Sequence, residues 1–256
     1  MKKYVNLFVF VFMVGTCFSQ GKAQTKSAVS YKNPVVDIAM PDPTVIKAAD
    51  GYFYVYATES TRNVPIMKSK NLVQWTYCNT AFTNKTRPRF EPKAGIWAPD
   101  INYINNKYVL YYAMSVWGGE QTCGIGVATA DSPQGPFTDH GKMFRSNEIG
   151  VQNSIDPSFL QYEGRNYLVW GSFRGIYVIE LTEDGLSLKP GAEKKRIAGT
   201  AFEAAYIHKH GDYYYMFASI GSCCRGVEST YKVVVGRSKK VWGPYKDKSG
   251  KPMLKN

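Results

Sequence analysis

Hydrophobic and polar positions alternate along this chain in short runs, and the runs recur in one order. A carboxylate opens a short strand-like segment, a Gly- or Asn-containing turn follows, and an aromatic segment closes the unit. Asp42-Pro43-Thr44-Val45 leads to Tyr52-Phe53-Tyr54-Val55-Tyr56-Ala57, and Asp100-Ile101-Asn102-Tyr103 leads to Tyr108-Val109-Leu110-Tyr111-Tyr112-Ala113. Asp156-Pro157-Ser158-Phe159 leads to Tyr167-Leu168-Val169-Trp170-Gly171-Ser172, and Glu203-Ala204-Ala205-Tyr206 to Tyr213-Tyr214-Tyr215-Met216-Phe217-Ala218-Ser219. Each unit predicts a β-hairpin led by an acid. Further strand-like runs follow, closed in two units by Gly135-Pro136-Phe137 and Gly243-Pro244-Tyr245. No helical apolar stripe of useful length competes with this pattern.

The leading acids are 58, 56 and 47 residues apart. A period of about fifty built from about four strands is the signature of a propeller blade. A β-sandwich would not return an acid to the start of every unit. In a propeller the first strand of each blade lines a central channel, so an acid at one shared place in each blade converges on the axis. Four units occupy residues 31 to about 250, and a fifth would need about fifty more at this period. The two readings are a four-bladed ring and a sequence that lacks its end.

Composition narrows the class. The 44% hydrophobic content excludes wholesale disorder, and the 19 Tyr favour strands and wet contact surfaces. The formal charge of +12 raises the question of nucleic acid. Yet the Lys are scattered, and no basic helix, zinc spacing or RNA-binding signature appears, so no nucleic-acid partner is expected. A diffuse positive surface fits an acidic polysaccharide such as pectin equally well. At the N-terminus Lys2 and Lys3 precede an apolar run from Val5 to Phe18, then Gly21-Lys22-Ala23. This reads as an export signal over residues 1–23, followed by the propeller domain over 24–256. The run is short for a membrane span, and Cys17 as a lipidation site is the lesser alternative because Thr16 fits it poorly. Beyond the leader stand Cys78, Cys123 and the adjacent pair Cys223-Cys224, too few for a cystine scaffold. The adjacent pair reads as buried small residues at a turn rather than a bond to itself.

Converging acids can bind a cation or run acid/base chemistry. Hydrolysis of a glycoside needs one ionised carboxylate to activate water and one protonated carboxyl for the leaving oxygen. Glu203, longer than the others and set among Phe202, Ala204, Ala205 and Tyr206, is the candidate acid, because apolar surroundings and like charges favour a retained proton. Asp42, bracketed by Pro41 and Pro43, is the candidate base, and Asp156 would orient the pair and help keep Glu203 protonated. The competing reading is that these acids cap strands and bond turn amides.

Met40-Pro41-Asp42-Pro43, Ile96-Trp97-Ala98-Pro99-Asp100, Asn153-Ser154-Ile155-Asp156-Pro157 and Phe202-Glu203-Ala204 resemble the ordered motifs of glycoside hydrolase family 43. The stretch Cys223 to Tyr231, with Val235-Gly236-Arg237-Ser238 and Gly243-Pro244-Tyr245, resembles its arabinan endo-1,5-α-L-arabinanase branch. The resemblance covers residues 33 to about 253. It implies an all-β, five-bladed β-propeller, of which about four blades are present here. It also implies an exported, inverting hydrolase of arabinan, the side chains of pectin, with Asp42 as base, Glu203 as acid and Asp156 as the residue that tunes them. By the same resemblance Gly118, Asn153, Ser154, Ile155, Ser172 and Phe173 would line the arabinose-binding cleft, with Arg174 a departure at its wall. Trp97 would be a sugar platform, with a core Trp as its competing reading. Trp117 has the same two readings, and His208 and His210 read as surface strand residues. The resemblance further implies a central ion, commonly calcium, held in part by a fifth-blade histidine that no residue here matches. A non-catalytic carbohydrate-binding propeller and a family 43 xylosidase or arabinofuranosidase are the alternatives.

Overall fold

The computed structural model describes residues 30–255. The leader read at 1–23, with Cys17, lies outside them. Residues 33–256 form one compact unit. It contains four antiparallel sheets, one per repeat, each with its strands in sequence order. The first holds β1 (Thr44–Lys47), β2 (Phe53–Tyr56), β3 (Pro65–Ser69) and β4 (Thr76–Thr80). The second holds β5 (Gly95–Ile104), β6 (Lys107–Ser115), β7 (Gly124–Ala130) and β8 (Thr138–Arg145). After a single helical turn, Ser146–Ile149, the third holds β9 (Ser158–Tyr162), β10 (Arg165–Trp170), β11 (Ile176–Glu180) and β12 (Lys195–Ala198). The fourth holds β13 (Glu203–His210), β14 (Tyr213–Ile220) and β15 (Lys232–Ser238), and Lys246 pairs with Arg237 where an outer strand would run. The innermost strands are neighbours in turn: β1 beside β5, β5 beside β9, β9 beside β13. This is a propeller arrangement of four blades.

The aromatic runs form second strands because tight turns return the chain onto the first. Asn105 and Asn106 both take positive φ (46° and 64°), as do Glu163 and Gly164 (50° and 73°), the geometry that matches hairpin twist. A strand with a sheet on each side must be apolar at both parities. In β6, Tyr108, Leu110, Tyr112 and Met114 enter the core shared with the first blade, whereas Val109 and Tyr111 enter the core shared with the third. In β10, Leu168 and Trp170 point one way and Val169 the other. Burying such a side chain contributes roughly 2–3 kcal/mol. β14 differs. Met216 and Ala218 are buried against the third blade, but Phe217 is 39% exposed, and Tyr206 and Val235, paired beside it, share its open face.

One expectation is overturned. Cys223 and Cys224 are disulfide-bonded to each other, on an exposed loop between β14 and β15, with Cys224 at φ 68°. They are therefore not buried packing residues. The loop is closed by the Thr230 N–H donating to the Ser222 carbonyl at 3.0 Å. That approach requires Gly221, where a Cβ would lie 2.5 Å from the Thr230 carbonyl oxygen. Cys78 and Cys123 are free thiols.

Candidate active site

Strand register places the four leading acids. The pairs Thr44↔Tyr56, Asp100↔Tyr111, Ser158↔Val169 and Tyr206↔Phe217 align the inner strands. Two residues before these pairs stand Asp42, Ala98, Asp156 and Ala204, all left-handed, with φ of 49°, 41°, 59° and 51°. The expectation of an acid at one shared place is corrected by this alignment. Asp42 and Asp156 occupy the left-handed residue, Glu203 stands one position before it, and Asp100 two after. The register shifts between Trp97 and Asp100 and between Glu203 and Tyr206 mark the irregular backbone that re-aims these side chains.

Asp42 is exposed to solvent. The Thr58 hydroxyl donates to its Oδ2 at 2.5 Å and accepts the Ala98 N–H at 2.7 Å. The Thr58 N–H in turn donates to the Pro41 carbonyl at 2.9 Å, so both chain and carboxylate are held. Glu203 is built in the same way from the other side. The Ser172 hydroxyl donates to its Oε2 at 2.6 Å, and Asn153 Nδ2 donates to the Ser172 Oγ at 2.9 Å and to the Ser172 carbonyl at 3.2 Å. Glu203 is 8% exposed and Ser172 2%.

Asp156 lies within electrostatic reach of both. Its carboxyl is pushed well above the usual carboxylate range, first by burial, then by the charges of Glu203 and Asp42, while the Ala204 N–H pulls the other way. The residue nevertheless keeps some solvent contact. The sequence placed the reluctant carboxyl at Glu203, whereas the structure puts a clear upward push on Asp156. The Tyr231 phenol, at the end of the disulfide loop, is raised by burial above all. Ser219 pulls it down and Glu203 pushes it up, which places its hydroxyl beside the acid.

Asp100 is not a member of this group. It accepts the Phe159 N–H at 2.7 Å, Asn102 Nδ2 at 2.8 Å and the Thr44 hydroxyl at 3.5 Å. It thereby ties β1, β5 and β9 together, and burial, partly offset by these bonds, pushes its carboxyl up to about 6.

The expected cleft residues divide. Trp97 is half-buried against Ala113, Cys123 and Ile155, with its ring 5.5 Å from that of Trp117, which is 77% exposed. Gly118 is exposed, with nothing within 4 Å of where a Cβ would stand. Phe173 is half-buried at φ 49°, its N–H on the Phe202 carbonyl. Asn153 and Ser172 stand behind Glu203. Ser154 does not face the groove: it is fully buried, its hydroxyl donates to the Val151 carbonyl and accepts Trp170 Nε1, and its N–H donates to Ser146. Ile155 is likewise turned into the core, with its N–H on the Asn153 carbonyl. These two support the floor from beneath. Arg174 reaches across to Glu120 at 2.7 Å, joining the loop after β10 to the loop after β6. His208 and His210 are exposed on β13.

Thr58 was missed from sequence, although a signal was there: every aromatic strand runs into a hydroxyl, Thr58, Ser115, Ser172 or Ser219. A separate cleft of about 680 Å³ opens between the second and third blades, lined by Tyr103, Gln161 and Arg165. Its Glu180 is engaged by Lys189 and Arg165, so it offers no free pair of carboxyls. Among the described residues no group of three His, Cys, Asp or Glu side chains is arranged to hold a metal ion. Calcium is also held through backbone carbonyls and waters, and no chemical step is assigned to the expected ion.

Three comparisons show the family and the fold. The family model described as Glycosyl hydrolases family 43 matches residues 31–256. The chain is 39% identical over 227 residues to the extracellular endo-alpha-(1->5)-L-arabinanase 1 of Bacillus subtilis (strain 168), covering 83% of this chain and 69% of the relative. It is 34% identical to the extracellular exo-alpha-(1->5)-L-arabinofuranosidase ArbA of Cellvibrio japonicus, covering 83% and 67%. The structure of Cellvibrio cellulosa alpha-L-arabinanase superposes with a TM-score of 0.77 at 33% identity, covering 85% of this chain and 76% of that one. The same enzyme complexed with arabinohexaose superposes at 0.76.

Proposed function

The chain belongs to glycosyl hydrolase family 43, and from that premise we propose that it is an inverting glycosidase that hydrolyses α-1,5-linked L-arabinan. The observation that carries the reading is the convergence of Asp42 and Glu203, from the first and fourth repeats, on Asp156. Each carboxyl of a working pair has a hydroxyl clamp of its own. Asp42, open to solvent, takes a proton from the water that attacks the anomeric carbon. Glu203, buried, gives a proton to the departing sugar oxygen. The attacking water enters on the face opposite the leaving group, so the anomeric configuration inverts. Room for that water calls for carboxyls about 6.5–9.5 Å apart.

Asp156 supplies electrostatics rather than bonds. Ionising any one of three neighbouring carboxyls disfavours ionising the next. Asp156 therefore holds its proton above the usual carboxylate range, beside the two residues proposed to do the chemistry. Trp97 and Trp117 offer the apolar ring faces on which a sugar stacks. Extracellular relatives support export of this protein also.

The test follows reducing ends and viscosity with linear arabinan, and the first-formed anomer by NMR. Inverted product from arabinan is expected. Binding of arabinan without any release of reducing ends would leave a carbohydrate-binding propeller instead.

A further inference from the structure

Asn153 and Ser172 were expected to touch sugar, but their hydrogen bonds point elsewhere. The Ser172 carbonyl can only accept, so the Asn153 group within 3.2 Å of it is the amide nitrogen, which fixes the orientation of that side chain. The same nitrogen donates to the Ser172 Oγ at 2.9 Å. The hydroxyl proton of Ser172 has one acceptor, Glu203 Oε2 at 2.6 Å. Ser172 is 2% exposed, so water does not offer another. A carboxyl oxygen that receives a hydrogen bond from a buried hydroxyl is poorly placed to carry a proton of its own.

We propose that the Asn153–Ser172 relay holds Glu203 Oε2 as an acceptor and so places the acid's transferable proton on Oε1. Asn153 and Ser172 are then positioning residues that act through Glu203. This rests on Glu203 being the general acid and specifies how that acid is prepared. The other groups near Glu203 are the Asp156 carboxyl, the Tyr231 hydroxyl, which lies within hydrogen-bonding reach of it, and the hydroxyl of Ser219, its register partner on β14. None of them is bonded to Ser172 Oγ among the described residues. A hydrogen bond donated to a carboxylate favours its charged form, so losing Ser172 favours proton retention.

The experiment is the pH–rate profile of Ser172→Ala, Ser172→Thr, Asn153→Ala and the Ser172→Ala/Asn153→Ala double variant on a soluble arabino-oligosaccharide. For Ser172→Ala, kcat falls roughly tenfold, KM stays within about twofold, and the alkaline limb rises by about one pH unit. Ser172→Thr restores both. Asn153→Ala moves the limb the same way by less, and the double variant is no worse than Ser172→Ala, since the two act in series. A rise in KM with kcat and limb unchanged would assign these residues to sugar contact and overturn the proposal. So would additive losses in the double variant. A second readout is independent of substrate: the carboxyl 13C resonance of Glu203, identified by its loss in Glu203→Gln, titrates to higher pH in Ser172→Ala. An unmoved titration overturns the relay. An active Glu203→Gln variant on arabinan would instead overturn the assignment of the acid itself.

Discussion

The inner strands of the first and third blades differ from those of the second and fourth at one backbone position. Blades one and three put Asp42 and Asp156 at the left-handed residue. Blades two and four put Ala98 and Ala204 there and carry their acids elsewhere in the register. One step before it, Glu203 is buried and clamped by Ser172. Two steps after it, Asp100 becomes a tie between three inner strands. The offset separates the acid tied to the backbone from those that reach the site, whereas Asp42 and Asp156, at one offset, differ in burial.

The strongest way to break that comparison is to neutralise each acid in turn. Glu203→Gln and Asp42→Asn should each lower kcat on arabinan by about 10²–10⁴-fold, the range for a lost proton-transfer group. An aryl arabinoside whose leaving group needs no proton separates them: Glu203→Gln recovers most activity on it and Asp42→Asn does not. If both variants behave alike on both substrates, the two offsets do not encode two roles.

Asp100→Asn should leave turnover nearly intact and act on stability. Its carboxyl is held near 6 when folded, above the unfolded value near 3.8. The folded state therefore binds more protons between those values, and stability falls as pH rises through that window. About two units correspond to at most roughly 3 kcal/mol. Thermal melts from pH 4 to 7 should slope downward in the wild type and less so in Asp100→Asn. Equal slopes would place Asp100 outside the account.

Thr58→Val removes the hydroxyl that donates to Asp42. Since that bond fixes the carboxylate in place, kcat on arabinan should fall about tenfold with KM little changed. The smallest effect is expected at Arg174→Ala. Its half-exposed bridge to Glu120 is worth at most about 1 kcal/mol, so stability barely changes. Product lengths from linear arabinan, read by chromatography, should shift if the bridge walls the groove.

The repeat, the hairpins and the propeller were legible because turn residues and aromatic strands recur with little variation. The trio of acids was legible for the same reason. What sequence spacing hid was register. Asp100 and Asp42 both open a strand-like run, and nothing in the letters shows a two-residue offset between them, because an irregular inner strand moves side chains without changing composition. Ser154 sat in the right motif but faces inward, since its neighbours Ile155 and Val151 drag that turn into the core. The Cys223–Cys224 bond was discounted from general geometry, and only the shape of its loop settles it. β14 reads like β6, apolar at both parities, yet one of its faces meets solvent.

The first and fourth repeats supply the two carboxyls proposed to work together, far apart along the described chain, with hairpins that each close locally. Local pairing forms quickly, whereas docking distant units waits on long loops. During refolding, far-ultraviolet dichroism should thus recover early and hydrolysis late, which makes turnover a clock for the last step of assembly.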